Sequence, residues 1–196
     1  MKKTISTLKL FTAILLITGA ITFNGCSSNE NNTADKSTID SLRNQITALV
    51  SRDTAVESHL VKFDTLDFTV FSHQEWSRLG ESHAKDIKVY WPDGHMEQGL
   101  EKHIESLKAM FVYAPDTRVT EHPIKFGSGK YTAVTGTFEG TFTKPMPIGN
   151  GKFIQPTGKT VKMPMVTIGV WENGLMTSEY LFWDNATYMK QFGIGN

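Results

Sequence analysis

The amino-acid sequence predicts an α+β domain in which helices pack on a strongly curved, mostly antiparallel sheet that encloses a pocket. Three observations predict it. Amphipathic helical spacings fill the first half of the chain, strands separated by turn signals fill the second, and one late strand is apolar on both faces. At 196 residues the chain suits one domain plus an appendage. Its 12 Phe, 4 Trp and 5 Tyr supply ample apolar surface for a core. A formal charge of zero gives no electrostatic reason to expect nucleic acid as a partner. A single cysteine excludes an intramolecular disulfide and a cysteine-based metal site.

Residues 1–25 read as an export signal. Lys2 and Lys3 form a positive start, and Leu10 to Phe23 is an uncharged apolar run of 14 residues. A spanning helix needs about 20, so the run has the length of a signal-peptide core. The lone cysteine follows in Phe23-Asn24-Gly25-Cys26. That run resembles a lipobox, which implies lipidation of Cys26 and a lipoprotein anchored to a membrane of the bacterial cell envelope. The alternative is an ordinary cleaved signal with a chance cysteine. Removing residues 1–25 takes away three lysines and leaves a net charge of −3.

Residues 26–54 read as a tether and a short helix. Ser27 to Ser37 has no large apolar residue and is expected to stay unordered. Ile39, Leu42, Ile46 and Leu49 then recur at helical spacing, as a stalk or as a helix packed on the domain.

The globular domain is expected over residues 55–196. Val56, Leu60, Phe63, Leu66 and Val70 mark one face of a first helix. Gln74 to His83 reads as a second, with Trp76, Leu79 and His83 on its inward side. Asp86 to Trp91 alternates as a strand and stops at Pro92-Asp93-Gly94. Leu100, Ile104, Leu107 and Phe111 give a third helix, ended by Ala114-Pro115. Four antiparallel strands follow. The first, Thr117 to Phe126, contains Pro123 and belongs at a sheet edge. The second carries Val134, Phe138 and Phe142 on one face, and Gly136 and Gly140 allow it to curl. The third, Thr160 to Trp171, has Met163 and Met165 on one face and Val166, Ile168 and Val170 on the other, so both faces are expected to be covered. The tight Glu172-Asn173-Gly174 turn leads to the fourth, Leu175 to Trp183, and a short helix over Asn185 to Phe192 closes the chain.

Several stretches in this order resemble the SnoaL-like, polyketide or ester cyclase branch of the nuclear-transport-factor-2-like superfamily. They are Ser82–Ile87 (SHAKDI), the Pro-Asp-Gly turn followed by Gly99 and a helix, Ala114–Val119 (APDTRV), Gly136–Phe142 (GTFEGTF), Pro156–Lys159 (PTGK) and Glu179–Gly193 (EYLFWDNATYMKQFG). The resemblance covers about residues 60–194. It implies a conical cavity, a homodimer packed through the sheet and a small apolar substrate; no cofactor is expected. It also implies an acid/base role for the aspartate of the terminal motif, Asp184.

Asp184 is a candidate on its own account. Its parity with Tyr180 and Phe182 puts it among aromatic neighbours, where desolvation would raise its pKa into the range of a proton-exchanging carboxyl. Its alternative role is to cap the terminal helix. His83 faces inward as a relay or ligand contact, or else as a satisfied core histidine. His122 shares parity with Ile124 and Phe126, pointing inward or across a dimer contact. Tyr90, Tyr180, Phe182, Met165 and Thr167 are expected to line the cavity. Glu179, of opposite parity to Asp184, is expected to face a helix or a partner, and His95 and His103 the surface. Six histidines at irregular spacing give no zinc pattern. Two functions are then open: proton transfer on a carbonyl compound by Asp184 and His83, or a pocket that only binds a ligand or partner at the envelope.

Overall fold

In the computed structural model the described residues are 29–195. They fall into two units, one ending at Leu42 and one running from Arg43. The signal segment, the lipobox-like run and Cys26 lie outside the described residues. Among the described residues no helix is long and apolar enough to cross a membrane.

One helix, α1 (Asn29–Thr65), replaces the unordered tether and the two separate helices of the sequence reading. No residue of that span is Gly or Pro, and extending an existing helix adds a hydrogen bond for each residue fixed. Thr54, at the expected break, donates its hydroxyl to the Val50 carbonyl at 2.9 Å and stays helical. Ile46, Leu49 and Val50 remain exposed, so this stretch buries no apolar face. The end of α1 does enter the core. Phe63 is fully buried, and His59 stacks on Trp171 at 4.4 Å. A π-helical turn, Leu66–Phe71, continues the path and buries Leu66, Asp67, Val70 and Phe71.

The expected helix through His83 shortens to a 3-10 turn, Trp76–Glu81, and His83 opens strand β1 (His83–Tyr90). A short strand not foreseen, β2 (Met96–Gln98), returns on β1 and leads into α2 (Leu100–Tyr113). The next expected strand is split into β3 (Arg118–Val119) and β4 (Lys125–Ser128). Pro123 falls between them, where its missing N–H cannot serve a ladder. The long β5 (Tyr131–Thr141) follows, then a two-strand ribbon of β6 (Met146–Pro147) and β7 (Phe153–Ile154). Next come β8 (Thr160–Glu172) and β9 (Leu175–Phe182), and α3 (Asn185–Gln191) ends the fold.

The main sheet has the order β2-β1-β9-β8-β5-β3, with β4 also paired to β5. All pairings are antiparallel except β1 with β9, so the last strand lies between β1 and β8. Asn173 (φ 51°) and Gly174 (φ 77°) supply the two left-handed positions of the β8–β9 turn. Gly136 lets β5 bend closely over its neighbours: a Cβ there would meet Val119 Cγ1 at 3.1 Å and Met165 Cγ at 3.3 Å. Burial in β8 alternates strictly, with Met163, Met165 and Thr167 inward. Val166, Ile168 and Val170 on the other face are only half-buried, so one chain does not supply the second cover expected for this strand.

Candidate active site

Three side chains distant in sequence meet on the concave side of the sheet. His83 comes from the start of β1, His103 from the first turn of α2 and Glu179 from the middle of β9; they are 2%, 2% and 5% exposed. They form the polar end of a cavity otherwise walled by Leu66, Phe71, Leu107, Met165, Leu181, Trp183 and other largely apolar side chains. The volume open to the centre of a water-sized sphere is about 50 Å³. That is room for a few waters or a small ligand.

Each ring is held from behind. The Ser82 hydroxyl donates to the Leu79 carbonyl (3.2 Å), so its oxygen accepts from His83 Nδ1–H at 2.8 Å. A neutral His83 therefore carries its lone pair on Nε2, which lies 3.7 Å from Glu179 Oε2 and has no hydrogen-bond partner. His103 Nδ1–H donates to Glu97 Oε1 at 2.9 Å, and Ser106 donates to the other Glu97 oxygen at 2.7 Å. His103 Nε2 lies 3.3 Å from Glu179 Oε2. Glu179 Oε2 and the indole N–H of Trp91, another cavity-lining residue, also lack hydrogen-bond partners.

The charges follow from this arrangement. Burial disfavours the His103 imidazolium, but Glu179 and Glu97 outweigh burial and raise its pKa to about 9. Burial likewise opposes ionisation of Glu179, yet His103 and His83 hold its carboxyl well below the usual carboxylate range. A second cluster adjoins the first. Asp67 lines the cavity and accepts from His122 Nε2 at 2.8 Å, while His122 Nδ1 donates to Asp64 at 2.9 Å. Burial works against the charged His122 ring, but the two carboxylates raise its pKa.

Met165, Thr167 and His83 line the cavity, His83 from a strand and not from the expected helix. Tyr90, Tyr180 and Phe182 do not. Tyr90 and Tyr180 stack on each other at 4.4 Å, and Phe182 is 49% exposed on the same outer face as Tyr180. His122 is neither on a strand nor on the cavity wall, because Asp64 and Asp67 capture both its ring nitrogens. Asp184 is exposed and caps α3. It accepts from the Ala186 N–H at 2.9 Å and the Thr187 hydroxyl at 2.6 Å. Those bonds lower its pKa, the reverse of the shift expected from a desolvated site, so Asp184 is not the cavity carboxyl. Glu179, expected to face a helix or a partner, takes that place against His103 of α2, which was expected at the surface. Helical spacing carried a signal for His103, since Leu100, His103 and Leu107 fall at i, i+3 and i+7.

A sequence profile of the SnoaL-like polyketide cyclases matches residues 64–192. The chain belongs to this family. No curated protein sequence matches it. Among solved structures, a proposed SnoaL-like polyketide cyclase from Jannaschia sp. CCS1 superposes with a TM-score of 0.62 at 17% identity, over 74% of this chain and 98% of that one. IdmH, a proposed polyketide cyclase from Streptomyces antibioticus, gives 0.58 at 19% identity, over 69% and 99%. A ketosteroid-isomerase-like protein from Catenulispora acidiphila, solved with trimethylamine, gives 0.53 at 15% identity, over 64% and 88%. At these identities the likeness establishes the SnoaL-like fold alone.

Proposed function

We propose that the SnoaL-like domain binds a small carbonyl compound in its cavity and transfers a proton next to the carbonyl, as a cyclase or isomerase does. One observation carries this reading: the unpartnered atoms His83 Nε2, Glu179 Oε2 and Trp91 Nε1 belong to residues lining one cavity, whose remaining walls are mostly apolar. With Nδ1–H engaged by Ser82, the His83 Nε2 lone pair takes the proton from the carbon beside the carbonyl. His103, protonated between Glu97 and Glu179, donates to the oxygen on which charge develops, and Trp91 N–H is the second donor. Ser82 and Glu97 hold the two rings in place, and Glu179 balances the imidazolium. The proposed polyketide cyclases among the similar structures support the reaction class.

The test is deuterium exchange into the α-protons of small cyclic ketones and 1,3-diketones, followed by proton NMR at pH 7. The wild-type chain is expected to accelerate exchange, and His83→Gln to lose that acceleration by roughly 10²–10⁴-fold. Asp184→Ala is expected to keep it, with only a slightly lower Tm from the lost cap. Equal rates for wild type and His83→Gln would hand the cavity to the non-catalytic, ligand-binding alternative.

We also infer that residues 1–25 direct export and that Cys26 carries a lipid anchor, on the strength of the uncharged 14-residue run and the position of the lone cysteine. Cys26→Ala is then expected to move the protein from the membrane fraction to the soluble envelope fraction. Retention of this variant in the membrane would contradict the assignment. A homodimer through the outer sheet face is supported by exposed Phe126, Tyr131 and Phe182 beside half-buried Ile168 and Val170. Light scattering should report a dimer for wild type and a monomer for Phe182→Glu, and equal masses would remove that interface.

A further inference from the structure

We infer that His83, His103 and Glu179 form a binding site for a divalent first-row transition ion of the zinc class. This goes beyond the proton transfer proposed above and does not depend on it, because it rests on donor geometry. A metal-ligating histidine donates its other ring N–H to a carboxylate or similar acceptor, which fixes the tautomer and aims the free nitrogen at the ion. Both histidines meet that condition. His103 donates Nδ1–H to Glu97, and His83 donates Nδ1–H to Ser82, so both Nε2 atoms point towards Glu179. One ligand atom from each of the three residues lies within 4.8 Å of the other two.

The spacing suits an ion. Zinc bonds to His nitrogen and carboxylate oxygen are about 2.0–2.2 Å, and tetrahedral ligand atoms then stand roughly 3.3–3.5 Å apart. Glu179 Oε2 lies 3.3 Å from His103 Nε2 and 3.7 Å from His83 Nε2. Two buried atoms of the set, His83 Nε2 and Glu179 Oε2, have no hydrogen-bond partner, and their residues are 2% and 5% exposed. A neutral His83 would otherwise aim a lone pair at a carboxylate oxygen with nothing between them. Two histidines and one carboxylate leave the remaining coordination position open to the cavity, for water or a ligand oxygen. The sequence hides the set because its members lie 20 and 76 residues apart along the chain.

An ion on these atoms and proton transfer by the same Nε2 atoms exclude one another, so metal loading would silence the exchange reaction proposed above. The test does not require that reaction. The full chain, stripped with EDTA, is titrated with Zn²⁺ against a chromophoric chelator. One ion per chain is expected, with dissociation constants on the order of micromolar or tighter. Glu97→Gln, which alters only the support of His103, should weaken binding by roughly 10–100-fold. His83→Gln/Glu179→Gln should abolish it, and His122→Asn should not change it. A ¹⁵N NMR experiment on wild type alone covers the case in which a variant fails to fold, since Zn²⁺ should shift the His83 and His103 Nε2 resonances. The inference fails if neither ring responds at saturating Zn²⁺, or if a folded double variant binds as tightly as wild type.

Discussion

Glu179→Leu is expected to lower the unfolding free energy by about 3–5 kcal/mol at pH 6, the usual cost of removing one member of a buried ion pair. The leucine fills much of the volume, so the loss is electrostatic. His103 would keep only Glu97 as a counter-charge, while Asp67 and His122 lie in the adjoining cluster. Glu179→Gln keeps the shape and a hydrogen-bonding oxygen, and should fall between wild type and Glu179→Leu. Urea unfolding of the three proteins gives the order. Equal midpoints and slopes for all three would mean that His103 is neutral and the buried pair does not exist.

The second large effect is on pH. In the metal-free protein the folded-state pKa of His103 is raised from 6.5 to about 9 by its two carboxylate neighbours, against burial. A raised histidine pKa contributes stability that is complete below the unfolded value of 6.5 and disappears as pH rises through about 9. A shift of that size corresponds to roughly 3 kcal/mol, at about 1.4 kcal/mol per unit. Glu179 works in the opposite sense. Its lowered pKa contributes stability above the unfolded value of 4.5 and loses it as pH falls through the lowered folded value. The groups facing His103 are Glu97 from β2, Glu179 from β9 and His83 from β1, and their combined effect is a plateau between about pH 5 and 6.5. Chemical unfolding with EDTA across pH 5–10 should show the alkaline decline, and in Glu179→Leu it should be smaller and finish at a lower pH. A flat profile from pH 6 to 10 would contradict the pair.

The α+β order, the Asn173-Gly174 turn, the third helix and the inward side of β8 were legible because each is a local pattern of spacing or turn chemistry. The phase of β9 was not, and with it went most of the site. A register carried straight back from the turn, where Glu172 faces Leu175 and Trp171 faces Met176, would set Tyr180 opposite inward-facing Thr167. The pairing instead slips by one residue between Val170 and Trp171, so Thr167 faces Leu181 and Gly169 faces Glu179. One extra residue in a strand exchanges its faces. Tyr180 and Phe182 consequently turn outward, and Glu179 turns in to meet two histidines supplied by other elements. A carboxylate within a strand is ordinarily assigned to solvent, and only those distant histidines overrule that expectation. Asp184 stood at a genuine strand-to-helix junction, where its cap was one of the two roles the sequence allowed.

The position of β9 between β1 and β8 also has a bearing on how the chain assembles. The strand made last joins the two parts of the sheet, and its parallel pairing with β1 closes a long stretch of chain before any ladder contact rewards it. Until Leu175–Phe182 has left the ribosome, β1 and β2 lack the strand that ties them to β8, and His83 and His103 have no Glu179 to meet. Folding of this domain therefore waits on its final strand, and a nascent chain stopped short of that strand remains open.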